Sequence, residues 1–333
     1  MNVLTVFATV LSLLIMAVPG FLLQKAKLLP DKAETALSNL VLYGLTPFLL
    51  FMCFQNEEIL YGGEIVKNML IVFGLILFIH LAMYVLGLIL FRGGEDLAKK
   101  KCVRFAIMFS NAGFMGVPFL QMLFPDGANA GEIMIYAAAV LLAFNALSWT
   151  LGVRIMTDDV KEISFKKVIL NPAIIALILG LISFFACRGT LLSVIPDGEI
   201  KNIVGKTLDS FSFLGNAVTP VSMIVIGIKL AKMEFKKLFT EKWAYITCFL
   251  KLVVASLISI LVVAFLPISN LAKYAVFFLM SMPSATSTVM FAVRFGGDAE
   301  FSSVAVSLST VLSIVSIPLM YLVMSGVFGI GIG

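Results

Sequence analysis

Side chains that carry charge are scarce in this sequence. Asp, Glu, Lys and Arg make up 13% of its 333 residues, and 61% of the chain is hydrophobic. A soluble domain carries about 25% charged and about 45–50% apolar residues, so an all-α integral membrane protein with many spans is expected. Histidine is nearly absent, with His80 alone. The four cysteines, Cys53, Cys102, Cys187 and Cys248, lie in or at the ends of apolar segments without metal or redox spacing. They read as small buried hydrophobes, not as a disulfide framework. Acids are missing from the middle of every apolar segment; Glu57, Glu58, Glu64, Asp298 and Glu300 sit in loops or at segment ends. That leaves no intramembrane carboxylate for a proton relay, no carboxylate cage for a metal, and no nucleophile–base pair for a membrane-embedded hydrolase. No cofactor is expected. Long linkers, low-complexity stretches and a soluble domain are absent too.

What remains is a series of apolar runs. A span needs about 20 mostly apolar residues, and ten segments qualify: 2–24, 35–54, 65–91, 102–124, 129–153, 168–187, 207–231, 242–267, 271–295 and 301–328. The first run exceeds the ~7–15 residues of a signal-peptide core and lacks a basic leader, so it is expected to be an uncleaved span. The net charge of +5 does not imply a nucleic-acid partner, because the basic residues sit in short loops where they set membrane orientation. With both termini outside the cytoplasmic membrane, 18 Lys and Arg face inward, 5 face outward, and Lys251 remains inside a span. Membrane lipid is the surrounding partner.

Five spans per half is an odd number, so the second half is expected to cross the membrane in the opposite sense to the first. Faint echoes support such an inverted repeat. Thr46-Pro47 and Thr219-Pro220 are 173 residues apart, and the same offset carries Asn111 onto Ser284. His80 and Lys251, the lone ionisable residues within spans, are 171 apart.

Span four contains Ser110-Asn111-Ala112-Gly113-Phe114-Met115-Gly116-Val117-Pro118 and span nine contains Ser281-Met282-Pro283-Ser284-Ala285-Thr286-Ser287. Proline lacks an N–H and clashes with the preceding turn, and glycine lowers the cost of unusual backbone angles. Helix breaks are therefore expected near Pro118 and Pro283, with Ser281 as a cap for the following half-helix and further irregularities at Pro47 and Pro220. Unpaired backbone groups in hydrocarbon cost several kcal/mol each, so such breaks survive only when covered. Two half-helix N-termini, each with about half a positive charge, form an anion site without a basic side chain. Asn111, Gly113, Gly116, Ser284, Thr286 and Ser287 are the expected substrate contacts, with Ser281 beside them.

Asn111-Ala112-Gly113-Phe114-Met115-Gly116-Val117-Pro118 resembles the auxin efflux carrier family, bacterial relatives of the plant PIN proteins. Asn145-Ala146-Leu147-Ser148-Trp149-Thr150-Leu151-Gly152, Asn171-Pro172 and Arg294-Phe295-Gly296-Gly297-Asp298 add weaker support, and the likeness covers essentially the whole chain. The resemblance implies ten helices in two inverted five-helix repeats, 1–155 and 168–333, joined by a cytoplasmic linker at 156–167. It implies that helices four and nine are broken and cross. It also implies a scaffold and homodimer interface in helices 2–54 and 168–231, and a moving transport domain in helices 65–153 and 242–328. Its substrates would be organic anions, auxin-like or dicarboxylate. Asn111 matches the family's crossover asparagine, whereas Ser284 stands where a second asparagine is expected, which leaves the anion open.

Thr46 and Thr219 are expected to face the anion from the scaffold, and Asn145 to line the cavity. Lys251 lies about nine residues into its span, or ~14 Å at 1.5 Å per residue. A mid-membrane lysine costs about 2.5–3.5 kcal/mol and needs a partner. It is read either as an anion contact or as a fixed cation standing in for a coupling ion; His80 is a packing residue or a proton relay. The expected function is a secondary carrier for a small organic anion. A sodium-coupled carrier of the bile-acid type and an anion channel are the alternatives, and a coupling ion, proton or sodium, is left open.

Overall fold

The structure, a computed structural model, describes residues 2–55, 61–92, 96–125, 127–157, 169–233 and 239–329. Among these residues the chain is helical, and its one β-type pairing is an isolated antiparallel bridge between Ser110 and Ser284. Among the described residues, eight helices are long and apolar enough to cross a membrane: α1 Val3–Lys25, α2 Ala33–Met52, α3 Gly63–Leu90, α5 Gly127–Met156, α6 beginning at Pro172, α7 Glu199–Lys232, α8 Lys242–Ala264 and α10 Ala299–Phe328. The two other expected spans are interrupted. One consists of α4a Leu97–Met108 and α4b Ala112–Leu123; the other of α9a Asn270–Ser281 and α9b Ser287–Phe295. The expected linker 156–167 lies, beyond Thr157, outside the described residues.

Helices such as α1 and α3 are apolar on every side, so their two faces meet different apolar surroundings. In α1, Val6, Val10, Leu13, Ala17 and Gly20 recur at three- and four-residue spacing and are buried, while Leu4, Ile15 and Leu22 point outward. Asn2 caps this helix, its Oδ1 accepting from the Thr5 amide at 2.8 Å. The buried stripe of α1 lies on the second half of α7. Lipid is as apolar as leucine, so close backbone approach, not water exclusion, favours this contact. A Cβ on Gly227 would stand 1.9 Å from the Ala17 carbonyl oxygen, and one on Gly20 would stand 2.1 Å from that of Ile224. Only glycine lets the two backbones touch at both places.

Helix pairings recur between the halves. Helix α3 packs on α5 and α4a, as α8 packs on α10 and α9a; α2 packs on α6, as α7 packs on α1. The broken segments connect two apolar cores. Helices α4b and α9a belong to one core, which includes α1 and α7, whereas α4a and α9b belong to a second core; α3, α5, α8 and α10 contribute to both. Each chain segment passes from one core to the other at its break.

Among the described residues, widened turns with i→i+5 bonding interrupt otherwise regular helix at Leu40–Leu45, Ser148–Gly152 and Leu250–Val254, and another, Ala112–Gly116, opens α4b. Such turns concentrate at functional sites. They also correct the expectation that Pro47 and Pro118 break their helices. Each proline sits in the first turn of regular helix just after a widened turn. The wider turn displaces the carbonyl that a proline ring would strike, so the helix continues. Pro220 likewise stands inside α7, three residues past a joint at Ala217. Of these four prolines, Pro283 alone lies in a gap between helices.

Candidate functional site

The two gaps meet. In the first, Phe109 is extended, at φ −98° and ψ 123°; in the second, Met282 is extended, at φ −61° and ψ 152°. The Asn111 amide donates to the Pro283 carbonyl at 2.7 Å, and the Ala285 amide donates to the Phe109 carbonyl at 2.9 Å. This short antiparallel pairing satisfies backbone groups that hydrocarbon could not. Pro283 suits its place because it has no N–H to satisfy there. The Ser284 amide donates to Ser309 Oγ of α10 at 3.1 Å, closing the far side. The Asn111 carbonyl accepts from the amides of both Met115 and Gly116.

A cavity of about 370 Å³ opens beside this pairing, within the ~300–1,000 Å³ range of small-molecule sites. Its wall is mostly apolar, with polar groups from both sides. Ser110, Asn111, Gly113 and Phe114 come from the first gap and α4b; Thr286, Ser287 and Val289 come from the second gap and α9b; Asn145, Ser148 and Trp149 come from α5. The opposite wall holds Glu34 and Thr46 of α2, Asn171 and Ala173 at the start of α6, and Lys229 of α7.

Several donors on this cavity are unused. The amide nitrogen of Asn111 is buried without a partner, and so is the Ser287 hydroxyl. The Gly113 and Phe114 amides in the first turn of α4b make no backbone hydrogen bond, nor do those of Thr286 and Ser287 at the start of α9b. A buried donor left unsatisfied costs about 1–3 kcal/mol. Several such donors on one cavity fit an acceptor-rich guest, and both helix starts add positive dipole ends.

Among the sequence-selected residues, Asn111, Gly113, Thr286, Ser287, Asn145 and Thr46 share this cavity. Two of them are partly engaged already: Thr46 Oγ1 donates to the Val41 carbonyl at 2.7 Å, and Asn145 Nδ2 donates to the Leu141 carbonyl at 2.8 Å. Gly116, Ser281, Ser284 and Thr219 lie outside the lining. Gly116 is a packing residue, since a Cβ there would fall 2.5 Å from the Leu279 side chain. Ser281 does not cap α9b, because that helix starts six residues later and the Ser281 hydroxyl is buried without a partner. The Thr219 hydroxyl donates to Gln121 Oε1 at 2.7 Å, tying α7 to α4b. His80 and Lys251 are also outside the lining. His80 bonds the Ile76 carbonyl through Nδ1 at 2.8 Å and packs on the Phe109 ring. Lys251 Nζ donates to Ser110 Oγ at 2.6 Å.

Sequence reasoning overlooked Ser110, which links Lys251 to the cavity although it heads the motif that carried the argument. It also overlooked Glu34 and Lys229. The Glu34 carboxylate lies 3.9 Å from Lys229 and 3.0 Å from Lys232, and the Lys229 ammonium stands 6.0 Å from the centre of the Phe114 ring. Read in isolation Lys229 counts only toward membrane orientation, and Glu34 carries no signal. No spacing joins positions nearly 200 residues apart.

Residues 5–164 and 156–321 match the profile of the membrane transport protein family, whose members are auxin efflux carrier-like. The chain belongs to this family. The chain is 25% identical over 314 residues to an uncharacterized transporter of Methanocaldococcus jannaschii, with 93% of this chain and 96% of the relative aligned. An uncharacterized transporter of Methanothermobacter thermautotrophicus is 25% identical over 311 residues, with the same coverage of 93% and 96%. One of Saccharomyces cerevisiae is 32% identical over 138 residues, covering 37% of this chain and 23% of the relative. The protein is thus a multi-pass membrane protein of a transporter family.

Proposed function

We propose that the protein is a secondary transporter of small organic anions, carrying a carboxylate at the crossing of α4 and α9. The observation that carries this reading is the set of unpartnered donors, Asn111 Nδ2, Ser287 Oγ and the first-turn amides of both half-helices, on one cavity wall. The guest is bound, moved and released unchanged; nothing in the donor set calls for chemistry on it. The two cavity walls support alternating access of the elevator type. One wall is α2, α6 and α7, the expected scaffold; the other is α4, α5 and α9, part of the expected moving domain. Sliding the second wall past the first would carry the anion from one side to the other. The recurring helix pairings of the two halves fit the inverted repeat such motion needs. By the distribution of basic residues, the end bearing Glu34 and Lys229 faces the cytoplasm of a cell bounded by this membrane. An inside-negative potential favours expelling an anion by about 2.3 kcal/mol per charge per 100 mV, so export needs no coupling ion. Assembly as a homodimer through the scaffold belongs to the same reading.

A thermal-shift titration of purified protein with acetate, malonate, malate and indole-3-acetate tests this. At least one raises the melting temperature of the wild type, and Asn111→Ala removes that response. No response to any of them, or a full response in Asn111→Ala, counts against the proposal.

A further inference from the structure

The anion reading leaves one buried cation unexplained. Lys251 is completely buried, lies in the widened turn Leu250–Val254 of α8, and is outside the cavity lining. Among the described residues it makes no ion pair, and no cluster of three or more His, Cys, Asp or Glu stands ready to hold a metal ion. Its ammonium donates to Ser110 Oγ at 2.6 Å, and that hydroxyl donates onward to the Met280 carbonyl in the last turn of α9a at 3.2 Å. The crossing has two kinds of helix end. Two N-termini, at Ala112 and Ser287, point positive dipole ends at the cavity. Two C-termini, at Met108 and Ser281, gather negative dipole ends behind it. A cation at a helix C-terminus is stabilising. Here it is tethered to the chain, and it reaches that end through a residue of the opposite broken segment.

We infer that Lys251 is the resident positive charge of the crossing, a positioning residue that makes anion binding independent of sodium. The inference rests on the reading of the cavity as an anion site. Lys251 does two things through Ser110. It offsets the negative helix ends that would otherwise oppose an anion at the adjacent N-termini. It also fixes the backbone at Ser110, so that the next residue, Asn111, presents its amide to the cavity. A carrier without such a charge would need a dissociable cation to do the first of these.

The test measures the affinity of the best-stabilising carboxylate among acetate, malonate, malate and indole-3-acetate, in sodium chloride and in choline chloride. The wild type binds equally well in both. Lys251→Met keeps the unliganded melting temperature within a few degrees but binds at least tenfold more weakly in choline. Ser110→Ala, which keeps the lysine and removes its link, binds at least threefold more weakly and decides the matter if Lys251→Met does not fold. Wild-type binding that strengthens more than tenfold on adding sodium overturns the inference. So does unchanged affinity in Lys251→Met, or, failing that variant, in Ser110→Ala. A wild type that answers none of the four carboxylates in either salt overturns the anion reading itself, and this inference with it.

Discussion

The α1–α7 contact and the α4–α9 crossing are both places where backbones touch inside an apolar protein, yet they are built in opposite ways. At the first, uninterrupted helix meets uninterrupted helix at Gly20 and Gly227, with no room for a methyl group. At the second, both helices are interrupted, two backbone bonds connect the gaps, and several donors are left unbonded on a cavity. Dense packing gives rigidity; incomplete pairing gives a binding surface. A carrier needs both, because an opening in one place persists only if the surrounding helices hold it.

The two regions should therefore respond oppositely to substitution. The largest effect is expected at the dense contact. Gly227→Leu forces α1 and α7 apart and belongs with changes costing more than ~4 kcal/mol; size-exclusion chromatography should show no monodisperse species. Monodisperse Gly227→Leu protein would mean that the contact is not the rigid frame described here. Next is Asn111→Ala. It removes a donor that has no partner in the empty site, so the unliganded melting temperature should hardly move, while carboxylate affinity falls about tenfold or more, the ~1.4 kcal/mol or more of a charge-assisted bond. A drop in unliganded stability equal to the drop in affinity would place Asn111 with the packing residues. Gly116→Ala presses on the Leu279 side chain and should cost about 1–3 kcal/mol as overpacking does, read as a lower melting temperature with and without ligand. The smallest effect is expected at Gly113→Ala, where the nearest atom to an added Cβ is 4.0 Å away. Unliganded stability there should stay within ~0.5 kcal/mol. A large loss would show that the cavity wall is packed more tightly than its geometry indicates.

Much of the fold was legible because hydrocarbon imposes a length and a polarity on every span. The segment containing Ser281-Met282-Pro283 was recognisable as interrupted for the same reason: polar and helix-breaking residues are out of place there. The exact site of a break was less legible. Proline marked Pro118, but the gap lies at Phe109–Asn111, because a widened turn absorbs the proline ring further along. Proline chemistry is local, whereas the gap is set by pairing with Pro283 and Ala285 of the other half. The same limit explains Ser284 and Thr219. Both are polar residues at repeat-related positions, yet the Ser284 hydroxyl is buried away from the cavity without a partner and the Thr219 hydroxyl is held by Gln121. Repeat symmetry placed them near the crossing and could not say which way they face. Glu34 and Lys229 were invisible as site residues because only the folded chain brings α2 and α7 together.

The most direct measurement is an experimental structure with 4-bromobenzoate, its bromine located by anomalous scattering. A bromine peak inside the cavity is expected, with the carboxylate directed at Asn111 Nδ2 and the amides of Gly113 and Phe114. A peak elsewhere in the protein, or a carboxylate turned away from the paired gaps, contradicts the anion reading.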